Sequence, residues 1–310
     1  MTFIEKLRYI FYKQQIKRVA HNRSWWIYYK SLILAFIIKD IVRYRRSTVR
    51  TNLLQSFPEK DLRQIKDIEN GFYKHFALLI LSSPKLLYLP EEKIRQHLIL
   101  ENVELFAELK AQGFPAVMMM MGHYGNWELF SGAQSYFDPI GVRQNQIYRP
   151  LKDRALDKLM KELRERNGSI CIAKDDVGRS LLSFVRQPQS EMQILAFISD
   201  QTPSKINIHY WTNFLNQPSA FFTGSERLAK KLNLPVVYMD VSRQGRFEYK
   251  GRFELITKTP RECAPNEIIE KYARLMERTI LRAPQYWLWS HKRWKHDVNS
   301  FPHVDKVAGL

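Results

Sequence analysis

Six consecutive apolar residues, Ala116-Val117-Met118-Met119-Met120-Met121, lie between Gly113 and Gly122. A run this short, without polar alternation and bounded by breakers, reads as a strand buried on both faces. Burial on both faces requires helices above and below the sheet, and helical patterns are at hand. Residues 153–166 and 224–232 are helical in pattern, and residues 266–281 place Ile268, Ile269, Tyr272, Leu275, Met276 and Ile280 on one side. Further strands are expected at residues 194–198, ending at Ser199-Asp200, and at 235–241. Strands alternating with helices predict an α/β fold with a central, mostly parallel sheet flanked by helices. The 310 residues are 45% hydrophobic and carry no internal repeat or long Gly/Ser linker, so a single compact unit with an N-terminal appendage is expected.

The segment that follows the buried strand is Gly122-His123-Tyr124-Gly125-Asn126-Trp127-Glu128-Leu129. Ligands of open α/β sheets gather beyond the carboxyl ends of the strands, so a histidine emerging there is placed to meet a substrate. A helix beginning near Asn126 would aim free N–H groups at developing negative charge. His123 and Glu128 would sit about 140° apart on a continuous helix, so their pairing needs an intervening turn. Gly122 and Gly125 supply the backbone for one, with Glu128 reaching back to orient the imidazole and His123 acting as general base. In the competing reading His123 is an ordinary turn residue and Glu128 a first-turn carboxylate favoured by the helix dipole.

Charge is concentrated at the N-terminus. Twelve of the first 50 residues are Lys or Arg, Arg23 among them, against only Glu5 and Asp40, which is over half of the formal net charge of +18. They alternate with Phe3, Leu7, Ile10, Phe11, Trp25, Trp26, Tyr28 and Tyr29, a mixture suited to a lipid headgroup boundary. Two amphipathic helices are expected, the second over residues 24–44, and the division expected is 1–47 as a basic membrane anchor and 48–310 as the main domain. The apolar stretch at 31–38 is far below the roughly 20 residues that span a bilayer. Residues 25–42 are therefore expected to lie at the interface, with a tilted span or a helix pair docked on the core as the alternatives. Charges throughout residues 1–20 do not fit a cleaved signal peptide. A helical collar over 48–76, broken at Pro58, leads into the core.

Two isolated cysteines, Cys171 and Cys263, without a C-x-x-C partner, indicate neither a zinc knuckle nor a disulfide framework, and no second histidine stands at metal-ligand spacing from His123. No metal or cofactor is expected. Absence of zinc-finger spacing, an RNP-like block or a P-loop argues against nucleic acid as the partner of the basic surface.

The His123-to-Glu128 H(X)4E segment resembles the first block of the lysophospholipid acyltransferase superfamily, in its lipid A late-acyltransferase branch. Tyr148-Arg149-Pro150-Leu151-Lys152 resembles the second block and Ser199-Asp200-Gln201-Thr202-Pro203 the third. Phe222-Thr223-Gly224, Ala229 and Leu234-Pro235-Val236-Val237 resemble the last blocks, and residues 284–295 resemble the C-terminal signature. The ordered series covers about residues 40–296. Asp200-Gln201-Thr202-Pro203 departs from the E-G-x-R pattern of glycerol-phosphate members, which favours a lipid A acceptor. The resemblance implies a glycerol-3-phosphate-acyltransferase-like fold and direct acyl transfer from an acyl carrier protein thioester to a hydroxyl of a lipid A precursor, at the cytoplasmic face of a bacterial inner membrane. It implies His123 and Glu128 as catalytic residues, and Arg149, Arg164, Asp200, Gln201, Thr223 and Gly224 as substrate-binding ones. Arg forks match phosphate geometry, which suits Arg149 and Arg164 to a phosphopantetheine or sugar phosphate. An aminolipid or lysophospholipid acceptor, or a non-enzymatic basic membrane-binding protein, would fit much of the same sequence. Trp287, Trp289 and Trp294 are expected either to meet the membrane or to close the core.

Overall fold

The computed structural model describes residues 1–20, 24–186 and 190–307; Arg23 lies outside them. Ten strands occur among these residues: β1 Leu98–Glu101, β2 Ala116–Met121, β3 Val142–Tyr148, β4 Ile170–Ala173, β5 Met192–Ile198, β6 Tyr210–Phe214, β7 Gln217–Ala220, β8 Val236–Arg243, β9 Tyr249–Thr257 and β10 Asp305–Lys306. Seven form the main sheet in the order β1-β9-β8-β2-β5-β3-β4, and β10-β6-β7 form a small second sheet. Every pairing in the main sheet is parallel except β8 with β9, so β1 and β9 run against the other five strands.

The expected α/β fold with a mostly parallel sheet is therefore what the chain adopts. All six residues of β2 are buried, because the strand lies between β5 and β8 with helices on both faces. The methionines of β2 are core residues, at most 3% exposed, and fill space that stiffer side chains would leave open. Predicted strands at 194–198 and 235–241 appear as β5 and β8, and the helices Arg154–Glu165, Gly224–Leu232 and Glu267–Arg282 fall where the apolar spacing put them. β3 carries no sequence signal of its own. Its Arg-Gln-Asn-Gln centre reads as loop, yet Gln144 and Asn145 are buried with their amides bonded to Phe130 O, Gln193 Oε1 and Ile194 O.

The collar forms as the helices Arg46–Ser56 and Leu62–Ser82, with Asp61 and Gln64 in a capping box that starts the second. The helix Ser24–Phe36 buries Ile27, Ser31 and Ala35 at successive i+4 positions against Leu62–Ser82. It passes into a π-turn at Ile37–Ile41, short of the expected end at residue 44.

The first helix, Phe3–Ala20, docks along one edge, where Tyr9, Tyr12 and Ile16 pack against the core. The same edge carries polar contacts: Arg8 donates to Asp153 at 2.5 Å, Tyr12 to Asp153 at 3.2 Å, and Tyr9 and Lys13 to Glu162 at 2.6 and 3.1 Å. The face bearing Phe3, Leu7, Ile10 and Phe11 stays exposed among the described residues, with Phe3 at 75%. Trp25, Trp26, Tyr29, Ile33 and Phe36 are likewise exposed on the second helix. No helix among the described residues is long and apolar enough to cross a membrane.

Candidate active site

Parallel pairing of β2 with β5 brings together two segments that lie far apart in the chain. The register ends at Met121 opposite Ile198, and Ser199 N donates to Met121 O at 3.1 Å. Beyond those ends the two strands release Gly122-His123 and Ser199-Asp200 side by side. The His123 backbone N–H donates to Asp200 Oδ2 at 2.8 Å, and its ring Nδ1 meets Oδ1 at 2.6 Å. The indole N–H of Trp287 donates to Oδ2 at 2.7 Å.

Asp200 is 1% exposed. Burial alone would raise its pKa, but the neighbouring imidazole and the hydrogen bonds from His123 and Trp287 outweigh that and hold the carboxyl below its usual range. An ionised Asp200 can only accept, so Nδ1 carries the proton and Nε2 is left as the basic nitrogen.

The turn around His123 is fixed from several sides. Gly125 has φ +63°, and a Cβ there would come within 2.9 Å of the Tyr249 ring. At Gly122 a Cβ would overlap the Met276 side chain and sit 3.3 Å from Asp200 Oδ2, so glycine lets the strand end approach the carboxylate. The C-terminal segment then pairs with the turn: Gly125 N donates to Tyr286 O and Leu288 N to His123 O. His75, fully buried and pushed down to about 3 by burial and by Arg243, is neutral and donates its Nε2–H to Gly125 O at 3.2 Å.

His123 opens onto a cavity of about 450 Å³ lined by side chains that include Met121, Trp127, Glu128, Tyr148, Arg149, Met160, Arg164 and Gln201. The mixture of apolar walls and a few charged groups suits a substrate with a long apolar part and a polar head.

A family model for bacterial lipid A biosynthesis acyltransferases matches residues 26–296. The chain belongs to that family. It is also similar to the lipid A biosynthesis palmitoleoyltransferase of Escherichia coli (strain K12), 18% identical over 260 residues that cover 83% of this chain and 81% of the relative. A lipid A biosynthesis acyltransferase of Shigella flexneri matches with the same identity and coverage.

Within this lipid A acyltransferase family chain, the H(X)4E residues do not pair with each other. Glu128 turns away from His123 and forms a two-pronged ion pair with Arg164, Nε to Oε2 at 2.9 Å and Nη2 to Oε1 at 2.6 Å. Its expected task of orienting the imidazole is taken by Asp200. The reason is local winding. Residues Trp127–Ala133 form a 3₁₀ helix, and the Trp127 ring packs edge-on against His123 at 5.1 Å, which carries Glu128 to the helix Arg154–Glu165. A helix does begin at Asn126, as expected, but it is a 3₁₀ helix, whose first backbone bond runs from Leu129 N to Asn126 O at 3.0 Å.

Arg164 was expected to bind phosphate, but its fork is committed to Glu128. Burial works against its charge and the Glu128 carboxylate restores it, leaving the guanidinium pKa raised. Arg149 lies exposed at the cavity rim with no ion-pair partner among the described residues. Gln201 lines the cavity with its amide nitrogen 3.4 Å from His123 Nε2. Thr223 and Gly224 are elsewhere. Thr223 borders a separate open groove with His209, Arg227 and His303, because the helix Gly224–Leu232 starts beyond the small sheet and not at the end of β2.

Trp287 was not expected in the site. It reaches Asp200, while Trp289 donates to Pro284 O and Trp294 to Ser219 Oγ, so all three tryptophans close the core. Among the described residues no group of three or more His, Cys, Asp and Glu is placed to hold a metal ion.

Proposed function

We propose that the protein transfers a fatty acyl group from an acyl carrier protein thioester to a hydroxyl of a lipid A precursor, with His123 as general base and Asp200 as its orienting carboxylate. The observation that carries this reading is the basic Nε2 of His123 facing the 450 Å³ cavity while Nδ1 is held by a buried, ionised Asp200. In the transfer, Nε2 takes the proton of the acceptor hydroxyl as its oxygen bonds to the thioester carbonyl carbon. Asp200 stabilises the imidazolium so formed. As the C–S bond breaks, the imidazolium returns the proton to the departing thiolate. No covalent enzyme intermediate is needed. Glu128 acts through Arg164, fastening the helix Arg154–Glu165 to the Trp127–Ala133 segment and thereby fixing two cavity walls. Arg149 at the rim is suited to a phosphate of the donor arm or of the acceptor.

Residues 1–47 anchor this unit to the cytoplasmic face of a bacterial inner membrane. Supporting that placement are the exposed apolar faces of the first two helices and the basic residues interleaved with them. The same basic surface would attract an acidic carrier protein.

The test is transfer of radiolabelled acyl groups from acyl carrier protein to a tetra-acylated lipid A precursor in detergent micelles. Wild type should transfer and folded His123→Ala should not; full activity in His123→Ala would overturn the mechanism. Transfer only to an aminolipid would replace the acceptor while keeping the chemistry.

A further inference from the structure

A buried cation lies close to the His123–Asp200 pair and has no part in the steps above. Arg293 is 1% exposed, yet none of its three guanidinium nitrogens has a hydrogen-bond partner among the described residues. Its guanidinium rests over the rings of Phe221 and Phe214, 4.5 and 5.7 Å from their centroids. Ring faces attract a cation but do not replace its lost hydration, so a buried charge of this kind calls for an anion nearby.

The same two rings lead to the catalytic carboxylate. Phe214 packs edge-on against Trp287 at 6.0 Å, and Trp287 donates to Asp200. Phe221 packs edge-on against Tyr272 at 6.2 Å, and Tyr272 donates to the carbonyl of Met121, two residues before His123. Burial lowers the Arg293 pKa to about 10, and the groups that pull it back up are Asp200 and then Tyr272. Tyr272 is itself raised by burial and stays a neutral phenol. His291, lowered to about 4 by burial, is neutral at physiological pH, which leaves Asp200 as the anion that answers Arg293.

We propose that Arg293 is a positioning residue that acts through Asp200, holding the carboxylate ionised and opposing protonation of His123 across a layer of aromatic rings. It touches no substrate. In a low-dielectric interior a charge acts on its neighbours without a direct hydrogen bond. Asp200 is then balanced on two sides, by His123 and Trp287 toward the cavity and by Arg293 from within the core.

This inference rests on His123 being the base, so its first test does not use activity. Thermal melting would be compared for wild type, Asp200→Asn, Arg293→Met and the double variant. Each single change strips the other residue of its counter-charge. The double variant should therefore melt at least about 3 °C above the value predicted by adding the two single shifts. Additive shifts would overturn the pairing.

The second test is the pH profile of kcat. Losing a positive charge makes His123 easier to protonate, so the acid limb of Arg293→Met should move up by about one pH unit. Arg293→Lys, which keeps the charge, should stay near wild type. A merely structural Arg293 would leave the acid limb in place in both variants, and that result would refute the proposal. If wild type transfers no acyl group, the proposed reaction fails while the melting comparison still reports on the pair.

Discussion

Asparagine at position 200 would keep the shape of the aspartate while changing what it offers to His123. Asp200 accepts three hydrogen bonds, two from His123 and one from the Trp287 indole. An asparagine has one acceptor oxygen, so at least one of those N–H groups would face an NH₂. If the oxygen stays on the backbone N–H and the indole, as both bond to Oδ2, then Nδ1 loses its acceptor. The imidazole would then turn its basic nitrogen inward and its N–H toward the cavity. The charge-assisted bond to the forming imidazolium accounts for about 1.5–3 kcal/mol, and presenting the wrong ring nitrogen to the substrate adds to that loss. The total of about 4 kcal/mol corresponds to roughly a 1000-fold fall in kcat at about 1.4 kcal/mol per decade. Single-turnover acyl transfer with purified, folded Asp200→Asn measures this directly, because product release is then outside the observed step. A loss smaller than about tenfold would show that Asp200 neither sets the tautomer nor stabilises the imidazolium.

Glu128→Gln leaves the largely buried Arg164 without its anion and should lower stability by about 2 kcal/mol, less than a fully buried pair because Arg164 keeps 21% exposure. Glu128→Gln/Arg164→Met should recover part of the loss in chemical denaturation; no recovery would mean that the pair is not what holds the two walls. Leu7→Glu/Phe11→Glu changes two exposed residues of the first helix, and should weaken binding to vesicles with anionic lipid by at least about tenfold, since each buried apolar side chain is worth roughly 1.5–3 kcal/mol. Unchanged sedimentation with vesicles would remove that face from the membrane contact. His75 is lowered to about 3 in the folded protein, so between its ordinary value near 6.5 and about 3 the unfolded chain binds the extra proton. Its contribution is whole above that window and is lost as pH falls through it. The fall in melting temperature on acidification should be shallower in His75→Asn, and parallel curves would refute the assignment.

Much of this was readable in the order of residues. The polar-free run Ala116–Met121 demanded a strand covered on both sides, and the apolar spacing of Glu267–Arg282 demanded a helix with one buried stripe. These are local properties, set by backbone geometry and the periodicity of side chains. The placement of His123 just beyond a buried strand followed from the same reasoning, as did the basic and aromatic character of the N-terminal helices. β3 escaped because its buried Gln144 and Asn145 are tolerated only by partners elsewhere in the chain.

The sequence by itself determined the layered α/β architecture, the position of His123 beyond a buried strand and the family to which the chain is similar, since each is written in contiguous residues. Only the tertiary structure decided which carboxylate serves that histidine. His123 and Glu128 are close in sequence, but the 3₁₀ winding of Trp127–Ala133 turns the glutamate toward Arg164. His123 and Asp200 are 77 positions apart, and the register of β2 against β5 makes them neighbours. Spacing along a chain limits which side chains can meet only within one element; across elements, the pairing of strand ends does so.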